Sequence, residues 1–513
     1  MSRRNVLVLL CDQLRRDFLP IYGCAAVPTP NLDRIAARGV VFDNAITQST
    51  VCAPARASMM TGRYVSDHGV WTNDVPFAPG LELLPELMAT LGYRTGAFGK
   101  LHHFPAGDGK GFNHLRQMEE GRLGDEEPYL VWLQQRHPEV TRLWNHADYE
   151  FAFAEEEYYE HWIASEAIGF IGGRQENAAP DRQPFLAWVS FQGPHSPIDP
   201  PREAKGTVDE SALPRPTDRR PNRRPVPDVV RYRTARDGNH DAETEVMRKR
   251  VAYAEQIVAI DRQIGRLLDH LEACDLMDST TIVFSADHGD LLGDFRLNAK
   301  GPFPYPAQMD IPLVVANHPD LRPGTRSAHL AGNIDIAGTV LQAAGADRSI
   351  GYSRSLIELA REDAPNPREV IYSEFCDSVK TVDDGRFRYS YYPFQEPREL
   401  FDRHVDPFCL DNLAGDPVHA EREARMLAHI VDFLVVAKGV RSEAQDFVPA
   451  QQEGLRKKHP DYARDFPVAF PLSAAGIESL KAAGLDTSYN EFCRGRPLVR
   501  SYGQPYWGNQ AGR

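Results

Sequence analysis

The stretch Asn5-Val-Leu-Val-Leu-Leu10, followed at once by Cys11-Asp12-Gln13, is the part of the chain that decides its fold. A continuous apolar run that ends in polar residues is typical of a strand buried on both faces, as in a parallel sheet covered by helices. Comparable runs lie at residues 184–191, 280–286 and 311–316. Between the second and third of these four runs, residues 245–273 carry apolar side chains at helical spacing. These patterns predict a doubly wound α/β domain.

The chain has 513 residues, which is long enough for one large core and a second, smaller one. We expect the α/β domain to occupy residues 1–365. Short strand patterns at 370–374, 387–392 and 400–402, followed by a helical pattern at 419–438, predict a small α+β domain at 366–440. For the aromatic-punctuated tail, residues 441–513, we expect packing on a neighbouring subunit, hence a homo-oligomer, either a dimer or a tetramer. Residues 204–241, rich in proline and arginine, predict a long surface excursion.

Charge and cysteine content exclude several classes of function. The net charge of −14 gives no electrostatic footprint for nucleic acid, and an anionic substrate would need a local cluster of cations. Seven scattered cysteines without C-x-x-C spacing argue against a disulfide framework and favour a reducing compartment. The N-terminus lacks a signal-peptide cleavage site, and no apolar run reaches about 18 residues. We therefore expect a cytoplasmic protein with no membrane partner.

The segment Cys52-Ala-Pro-Ala-Arg56, with Thr61-Gly-Arg63 shortly after it, is the strongest local signal for chemistry. On its own, C-x-P-x-R is a modest pattern, because a plain buried thiol before a helix fits it equally well. Further signals are spread along the chain: Asp12-Gln13 after the first strand, residues 29–33, residues 92–102 ending in Lys100-Leu-His102, the run Ser285-Ala-Asp287-His288, and residues 400–406.

Together these motifs resemble the type I sulfatase family of the alkaline phosphatase superfamily, over about residues 5–415. The resemblance implies a large mixed, mostly parallel sheet sandwiched by helices, with a smaller α+β C-terminal domain. It also implies that Cys52 is oxidised to formylglycine by a formylglycine-generating enzyme, and that Thr61-Gly-Arg63 lies on the same helix as Cys52. The substrate class implied is a small-molecule sulfate ester.

A metal site is expected from both the residues and the resemblance. Asp12 follows one strand and Asp287 with His288 follows another, and ligands of open α/β sheets bind at the carboxyl ends of strands. Carboxylate and amide oxygens suit a hard divalent cation, while an imidazole ligand also admits Mn²⁺. We expect one ion, Ca²⁺ in preference to Mn²⁺ or Mg²⁺, held by Asp12, Gln13, Asp287 and His288. Many family members carry Asp and Asn where this chain has Gln13 and His288, which leaves the identity of the metal open.

The resemblance also implies a nucleophile and a set of polar groups around it. A thiol would form a stable adduct with sulfate, whereas one hydroxyl of an aldehyde hydrate at position 52 attacks sulfur and the other then lets the adduct collapse. Arg56 would hold the diol or a metal-side carboxylate, and Lys100 with His102 would neutralise sulfate and serve as base. His195 and Lys300 would stabilise or protonate the leaving oxygen, and Asn73 would contact the substrate. His68 and His103 match no motif position and are expected to be structural.

Three alternatives remain at this point. A phosphonate monoester or phosphodiester hydrolase shares the formylglycine and the metal pairs, but that branch carries hydroxyl side chains where this chain has Lys100 and His102, which favours a sulfatase. A choline-sulfatase-like specificity would need an aromatic cage that the sequence does not identify. A non-catalytic binding homologue would keep Cys52 as a thiol, and the intact metal, cation and acid positions argue against it.

Overall fold

The structure is a computed structural model, and it describes residues 3–78, 80–140, 149–173, 183–217, 227, 243–364, 367–375, 378–393 and 398–437. Most of the expected surface excursion at 204–241 and the whole tail at 441–513 lie outside these ranges. The predicted role of the tail between subunits therefore stays a prediction.

A large mixed sheet forms the centre of the molecule. Strands β1 to β10 are Asn5–Asp12, Gly39–Phe42, Ala45–Ile46, Arg94–Gly99, His114–Gln117, Phe185–Pro194, Thr280–Ala286, Leu313–Ala316, Thr325–Ser327 and Ala331–Gly332. Within the described ranges, eight of them pair in the order β5-β4-β6-β1-β7-β8-β2-β9, while β3 and β10 form a separate pair. All neighbours in the large sheet are parallel except β8, which runs antiparallel to both β7 and β2.

Strand β1 is the middle of this sheet because its sequence is apolar on both faces. Val8 pairs with Trp188 of β6 on one side and with Val283 of β7 on the other. Residues Val6 to Cys11 are at most 1% exposed, and successive side chains of a strand point to opposite faces. Both faces of the sheet are therefore covered, as the continuous apolar runs predicted.

Helices cover the sheet. Helices α1 to α11 are Pro30–Ala37, Cys52–Thr61, Val65–His68, Leu84–Thr90, Pro128–Gln134, Tyr159–Ile171, Glu243–Ala273, Pro306–Met309, Ile336–Ala343, Leu356–Leu359 and Ala420–Val436. Short 3₁₀ turns lie at Arg16–Phe18, Pro20–Tyr22, Gly124–Glu126, Glu155–Glu157, Arg202–Ala204, Glu210–Ala212, Met277–Ser279, Asp294–Arg296, Asn333–Asp335 and Pro417–His419. The long helix predicted at 245–273 is α7, which packs on α6 and β6, while α9 packs on α2 and β1.

The C-terminal part of the described chain builds a second, smaller sheet. Its strands β11 to β14 are Ile371–Phe375, Val379–Asp383, Phe387–Tyr391 and Glu399–Asp402, and they form an antiparallel meander. Helix α11 packs on β12 and β13, where Met426 and Ile430 join the apolar face of the sheet. The predicted fold class is confirmed, whereas the domain boundaries at 365 and 440 stay predictions.

Charged side chains join the small sheet to the rest of the molecule. Arg388 of β13 is fully buried and contacts Asp383 at 2.9 Å and Asp310 at 2.5 Å. Arg403 also contacts Asp310, at 2.7 Å, and Arg16 approaches the same carboxylate at 3.1 Å. Burial alone would raise the pKa of Asp310, but the guanidinium groups of Arg403, Arg388 and Arg16 hold it below its usual range.

Two further expectations can be compared with the structure. Among the described residues no helix is both long and apolar enough to cross a bilayer. The cysteines within the described ranges are free thiols, as their spacing predicted: Cys11, Cys24, Cys52, Cys274 and Cys409.

Candidate functional site

The chemistry-bearing residues meet at the carboxyl end of the central strands. Asp12 is the last residue of β1, Asp287 directly follows β7, and Lys100 directly follows β4. Cys52 is the first residue of α2, whose ten residues are all buried. The parallel order β4-β6-β1-β7 thus brings to one edge of the sheet side chains that are far apart in the chain.

Four side chains form a group that can hold a cation. One ligand atom from each of Asp12, Cys52, Asp287 and His288 lies within 4.8 Å of the other three. The Sγ atom of Cys52 is 3.3 Å from Nε2 of His288 and 3.6 Å from Oδ1 of Asp12. The Nδ1 atom of His288 lies 2.8 Å from the carbonyl oxygen of Gly289. Because that carbonyl accepts the Nδ1 proton, Nε2 is left as the ligand atom on the side of Cys52.

Gln13 adds an amide oxygen to this group. Its φ of 65° turns the backbone so that its N–H donates to Oδ1 of Asp287 over 2.9 Å. Its side-chain nitrogen donates to Asp290, and its Oε1 is buried without a hydrogen-bond partner among the described residues. A buried carbonyl oxygen is costly when unpaired, so an orphaned oxygen beside two carboxylates fits a cation ligand. Asp12, Asp287 and His288 are therefore brought together, with Gln13 hydrogen-bonded to Asp287 beside them, and these donor types suit a hard divalent cation.

Arg56 braces the two carboxylates from the side of α2. Its Nε lies 2.9 Å from Oδ2 of Asp287 and its Nη2 lies 3.2 Å from Oδ2 of Asp12. Its Nη1 donates to Ser190 Oγ at 2.8 Å and to the carbonyl oxygen of Lys100 at 2.5 Å. Of the two roles expected for Arg56, the structure shows the contact with the metal-side carboxylates.

Two lysines converge on the same point. Lys100 Nζ lies 2.5 Å from Oδ2 of Asp12, and Lys300 Nζ lies 2.6 Å from Sγ of Cys52 and 3.9 Å from Oδ1 of Asp12. Burial alone would raise the pKa of Asp12, but Lys100, with smaller contributions from His195, Lys300 and Arg56, holds it well below its usual range. The local cation cluster that an anionic substrate requires is present in a chain of net charge −14.

Burial raises the pKa of the Cys52 thiol to about 12, and the neighbouring Asp12 carboxylate adds to this effect. A neutral thiol is a weak nucleophile, so the unmodified side chain is poorly suited to attack. The helix that starts at Cys52 ends at Thr61, because Gly62 adopts a left-handed φ of 62°. The expectation that Thr61-Gly-Arg63 lies wholly on this helix was wrong: only Thr61 does.

The other predicted residues lie around this centre. Asn73 accepts from the backbone N–H of Ala53 over 3.1 Å, and its Nδ2 is buried without a partner among the described residues. His195 donates its backbone N–H to the carbonyl oxygen of Asp12 over 3.1 Å.

The buried ring of His102 makes no hydrogen bond to any described residue, and burial lowers the pKa of His102 well below the usual value. Of the two histidines expected to be structural, His68 is hydrogen-bonded to Ser58, whereas both ring nitrogens of the buried His103 lack partners within the described ranges.

The sequence interpretation missed several polar side chains of the site. Glu120 contacts Lys100 at 2.7 Å and His195 at 3.1 Å. Asn333 donates to the carbonyl oxygen of Asp287 over 3.0 Å, and Asp290 orients Gln13. Asp290 follows Asp287-His288-Gly289 directly, so its position in the motif was the one available signal. Glu120 and Asn333 lie in no recognised motif.

Comparison with known proteins agrees with this geometry. The family model described as Sulfatase matches residues 4–346, and the model described as N-sulphoglucosamine sulphohydrolase, C-terminal, matches residues 293–434. The chain is 26% identical to an arylsulfatase of Clostridium perfringens, over 82% of this chain and 92% of the relative. It is 28% identical to a choline-sulfatase of Rhizobium meliloti, over 81% of this chain and 83% of the relative.

A solved structure has the same fold. The phosphonate monoester hydrolase of Agrobacterium radiobacter superposes with a TM-score of 0.72 at 24% identity, over 85% of this chain and 96% of that one. At this identity the similarity establishes the architecture and leaves the substrate open. The sulfatase family model, by contrast, matches well over half of the sequence, and the matched part includes every predicted metal ligand. The chain therefore belongs to the sulfatase family, within the alkaline phosphatase superfamily, and is a sulfuric ester hydrolase.

Proposed function

We propose that this protein hydrolyses sulfate monoesters to an alcohol and inorganic sulfate, using a formylglycine hydrate at position 52 and one divalent metal ion. The observation that carries the proposal is the position of Cys52 Sγ, 3.3 Å from His288, 3.6 Å from Asp12 and 2.6 Å from Lys300. An oxygen nucleophile in the position of Cys52 Sγ would lie close both to the proposed metal ligands Asp12 and His288 and to the ammonium group of Lys300.

The proposed ion is Ca²⁺, with Mn²⁺ or Mg²⁺ as the alternatives. Asp12, Gln13, Asp287 and His288 would hold it, and the unpartnered Oε1 of Gln13 supports this ligand set. When bound, a divalent ion lowers the pKa of a coordinated hydroxyl and offsets negative charge that develops on the transferred group. The mixed oxygen and imidazole set does not choose among the three metals by itself.

The cationic side chains would bind and polarise the sulfuryl group. Lys100 and Lys300 are both fully buried, so their charges act in a medium that screens them weakly. Arg56 would keep Asp12 and Asp287 apart and ionised, and thereby ready to hold the metal. His195 would give a proton to the leaving oxygen, and the unpartnered Nδ2 of Asn73 would donate to the substrate. His102, buried and neutral, is proposed as the base.

The phosphonate monoester and phosphodiester alternative stays open, because the fold shared with the Agrobacterium radiobacter hydrolase does not choose between the substrates. A relative named multifunctional alkaline phosphatase superfamily protein PehA, of Trinickia caryophylli, is 27% identical over 82% of this chain and 93% of the relative. The sulfatase proposal is preferred because this chain has Lys100 and His102 where the phosphonate hydrolase branch carries hydroxyl side chains.

The test is a kinetic comparison on matured enzyme. The full chain is co-expressed with a formylglycine-generating enzyme, and mass spectrometry of the peptide containing residue 52 measures the converted fraction. We expect kcat/KM for 4-nitrophenyl sulfate to exceed that for a phosphonate monoester. The value of kcat/KM for choline sulfate tests the choline-sulfatase-like specificity. Cys52→Ala, prepared in parallel, should be inactive. A phosphonate preference of orders of magnitude, or full activity in Cys52→Ala, would overturn the proposal.

Cytoplasmic placement and homo-oligomerisation through residues 441–513 remain part of the proposal. Light scattering of the full chain and of a chain ending at residue 440 compares their masses in solution. We expect a dimer or tetramer for the full chain and a smaller species after truncation. A full chain that is monomeric would contradict the proposed role of the tail.

A further inference from the structure

Glu120 is a carboxylate among cations that the proposed reaction does not yet use. It follows strand β5 and adopts a left-handed φ of 55°. Its Oε1 lies 2.7 Å from Nζ of Lys100 and 3.1 Å from Nδ1 of His195, and its Oε2 lies 2.7 Å from Nη1 of Arg122. The side-chain amide of Gln192 also donates to Oε1. One carboxylate thus joins the loops that follow β4, β5 and β6.

The contacts of His195 define which ring nitrogen carries its proton. Nδ1 faces two acceptors, the carboxylate of Glu120 at 3.1 Å and the carbonyl oxygen of Ser196 at 2.6 Å. The side-chain nitrogen of Gln192 is farther from Nδ1, at 3.4 Å, and donates instead to Glu120. A nitrogen between two acceptors is a donor, so Nδ1 is protonated. Nε2, on the opposite side of the ring, has no hydrogen-bond partner among the described residues, and the side chain is 15% exposed. Nε2 is therefore the atom available to a ligand.

A carboxylate at this place needs a reason, because it repels the sulfate that the lysines attract. Burial alone would raise the pKa of Glu120, but Lys100, with Arg122 and His195, holds it well below its usual range. Glu120 is therefore charged and takes up part of the positive charge of the site. The contacts of Glu120 also fix the orientation of two side chains that could otherwise rotate, those of Lys100 and His195.

We propose that Glu120 is a positioning residue that turns His195 so that Nε2–H faces the leaving oxygen of the substrate. This inference rests on the proposed function. As the S–O bond to the alcohol breaks, its electron pair moves to the leaving oxygen, which takes the proton from Nε2 of the charged ring. His195 is then neutral, keeps its proton at Nδ1, and regains the second proton from solvent.

The experiment uses aryl sulfates whose leaving groups differ in basicity. 4-Nitrophenolate leaves readily without a proton, whereas phenol, with a pKa near that of tyrosine at about 10, depends on an acid. We expect Glu120→Gln to lower kcat/KM for phenyl sulfate by about 100-fold and that for 4-nitrophenyl sulfate by less than about 10-fold. His195→Ala should show the same selectivity, and the double variant should lose little more than His195→Ala alone.

Glu166→Gln is the matched control. Glu166, on helix α6, pairs at 2.9 Å with Arg116 of β5, the strand that precedes Glu120, but contacts none of the site residues. It should keep wild-type kinetics with both esters. An equal loss for the two esters in Glu120→Gln, or effects of Glu120→Gln and His195→Ala that simply add, would overturn the inference.

A readout without catalysis separates this inference from the proposed function. In protein labelled with ¹⁵N-histidine and measured at a pH where the ring is neutral, the His195 signal, assigned with His195→Ala, should report the Nδ1-protonated tautomer in the wild type and a mixture of tautomers in Glu120→Gln. An unchanged signal in Glu120→Gln would overturn the positioning role even in an active sulfatase. The expected change in a protein without sulfatase activity would leave the positioning role standing and reject the proposed function alone.

Discussion

Arg56 lies 2.9 Å from Asp287 through its Nε atom, and both side chains are only 1% exposed. The same guanidinium contacts Asp12, so one cation spans the two carboxylates that are proposed to bind the metal. Its place on α2, four residues after Cys52, links the proposed nucleophile position to the proposed metal ligands through a single helix. The spacing of C-x-P-x-R therefore places Arg56 within reach of both carboxylates.

Arg56→Ala should lower the free energy of unfolding by about 3–5 kcal/mol, because removing one partner of a buried ion pair leaves the other charge uncompensated. Urea denaturation without added metal measures the loss. The control is Arg348→Ala, whose ion pair with Glu82 is 42% and 49% exposed and should be worth less than about 1 kcal/mol. Equal stability of the two variants would contradict the role given to Arg56.

Lys300→Met should lower kcat for 4-nitrophenyl sulfate by about 100- to 1,000-fold, since a buried cation at the reacting centre is lost. Methionine keeps the unbranched apolar stem of the side chain and lacks its charged end. Conversion of residue 52, measured by mass spectrometry, is checked in the same preparation. A properly converted variant with near wild-type kcat would exclude a direct role of Lys300 in the reaction.

Asp290→Leu should weaken Ca²⁺ binding by about 10- to 100-fold, because Asp290 holds the amide of Gln13 with Oε1 free for the metal. Calorimetric titration of chelator-treated protein gives the affinity directly. Asp363→Asn serves as the control, because Asp363 pairs with Arg361 at an exposed site. Binding as tight in Asp290→Leu as in Asp363→Asn would reject the orienting role.

Asp310→Asn should destabilise the protein at pH 7 by about 3–5 kcal/mol, and the difference from wild type should shrink as the pH falls below about 4. The folded-state pKa of Asp310 is lowered, so its stabilising effect is complete above the unfolded-state pKa and is lost as the pH falls toward the folded value. Denaturation of both proteins from pH 7 to pH 3 measures the trend. A difference that does not vary with pH would show that charge is not responsible.

The central strands and most of the site could be predicted because their signals are local. The run that forms β1 ends in Asp12 and the run that forms β7 is followed by Asp287, so periodicity and position together predicted that these carboxylates lie close together. β5, with the sequence His-Leu-Arg-Gln, carries no apolar run, and the run in β2 is only three residues long, which is why neither strand was predicted. β12 was missed because its five residues, Val379-Lys-Thr-Val-Asp383, form neither a continuous apolar run nor a strict alternation of polar and apolar types.

Glu120 could not be predicted from the sequence, because its role arises only when three loops meet. It is an ordinary acidic residue in Glu119-Glu120-Gly121, and nothing in that stretch indicates Lys100 or His195 as partners. Its contacts depend on the order β5-β4-β6, which places the ends of those strands side by side. Neighbourhood in a sheet is a long-range property that no local pattern encodes.

Cys52 is 0% exposed in the folded chain, and the helix it begins is enclosed along its whole length. An enzyme that modifies this side chain has to bind it in its own active site. It cannot do so once the chain has folded, because Cys52 is then buried. The proposed oxidation is therefore a step of biosynthesis that competes in time with folding. Molecules that fold first would keep an unreactive thiol at position 52. The active fraction of a preparation would therefore equal the fraction of chains that were oxidised before they folded.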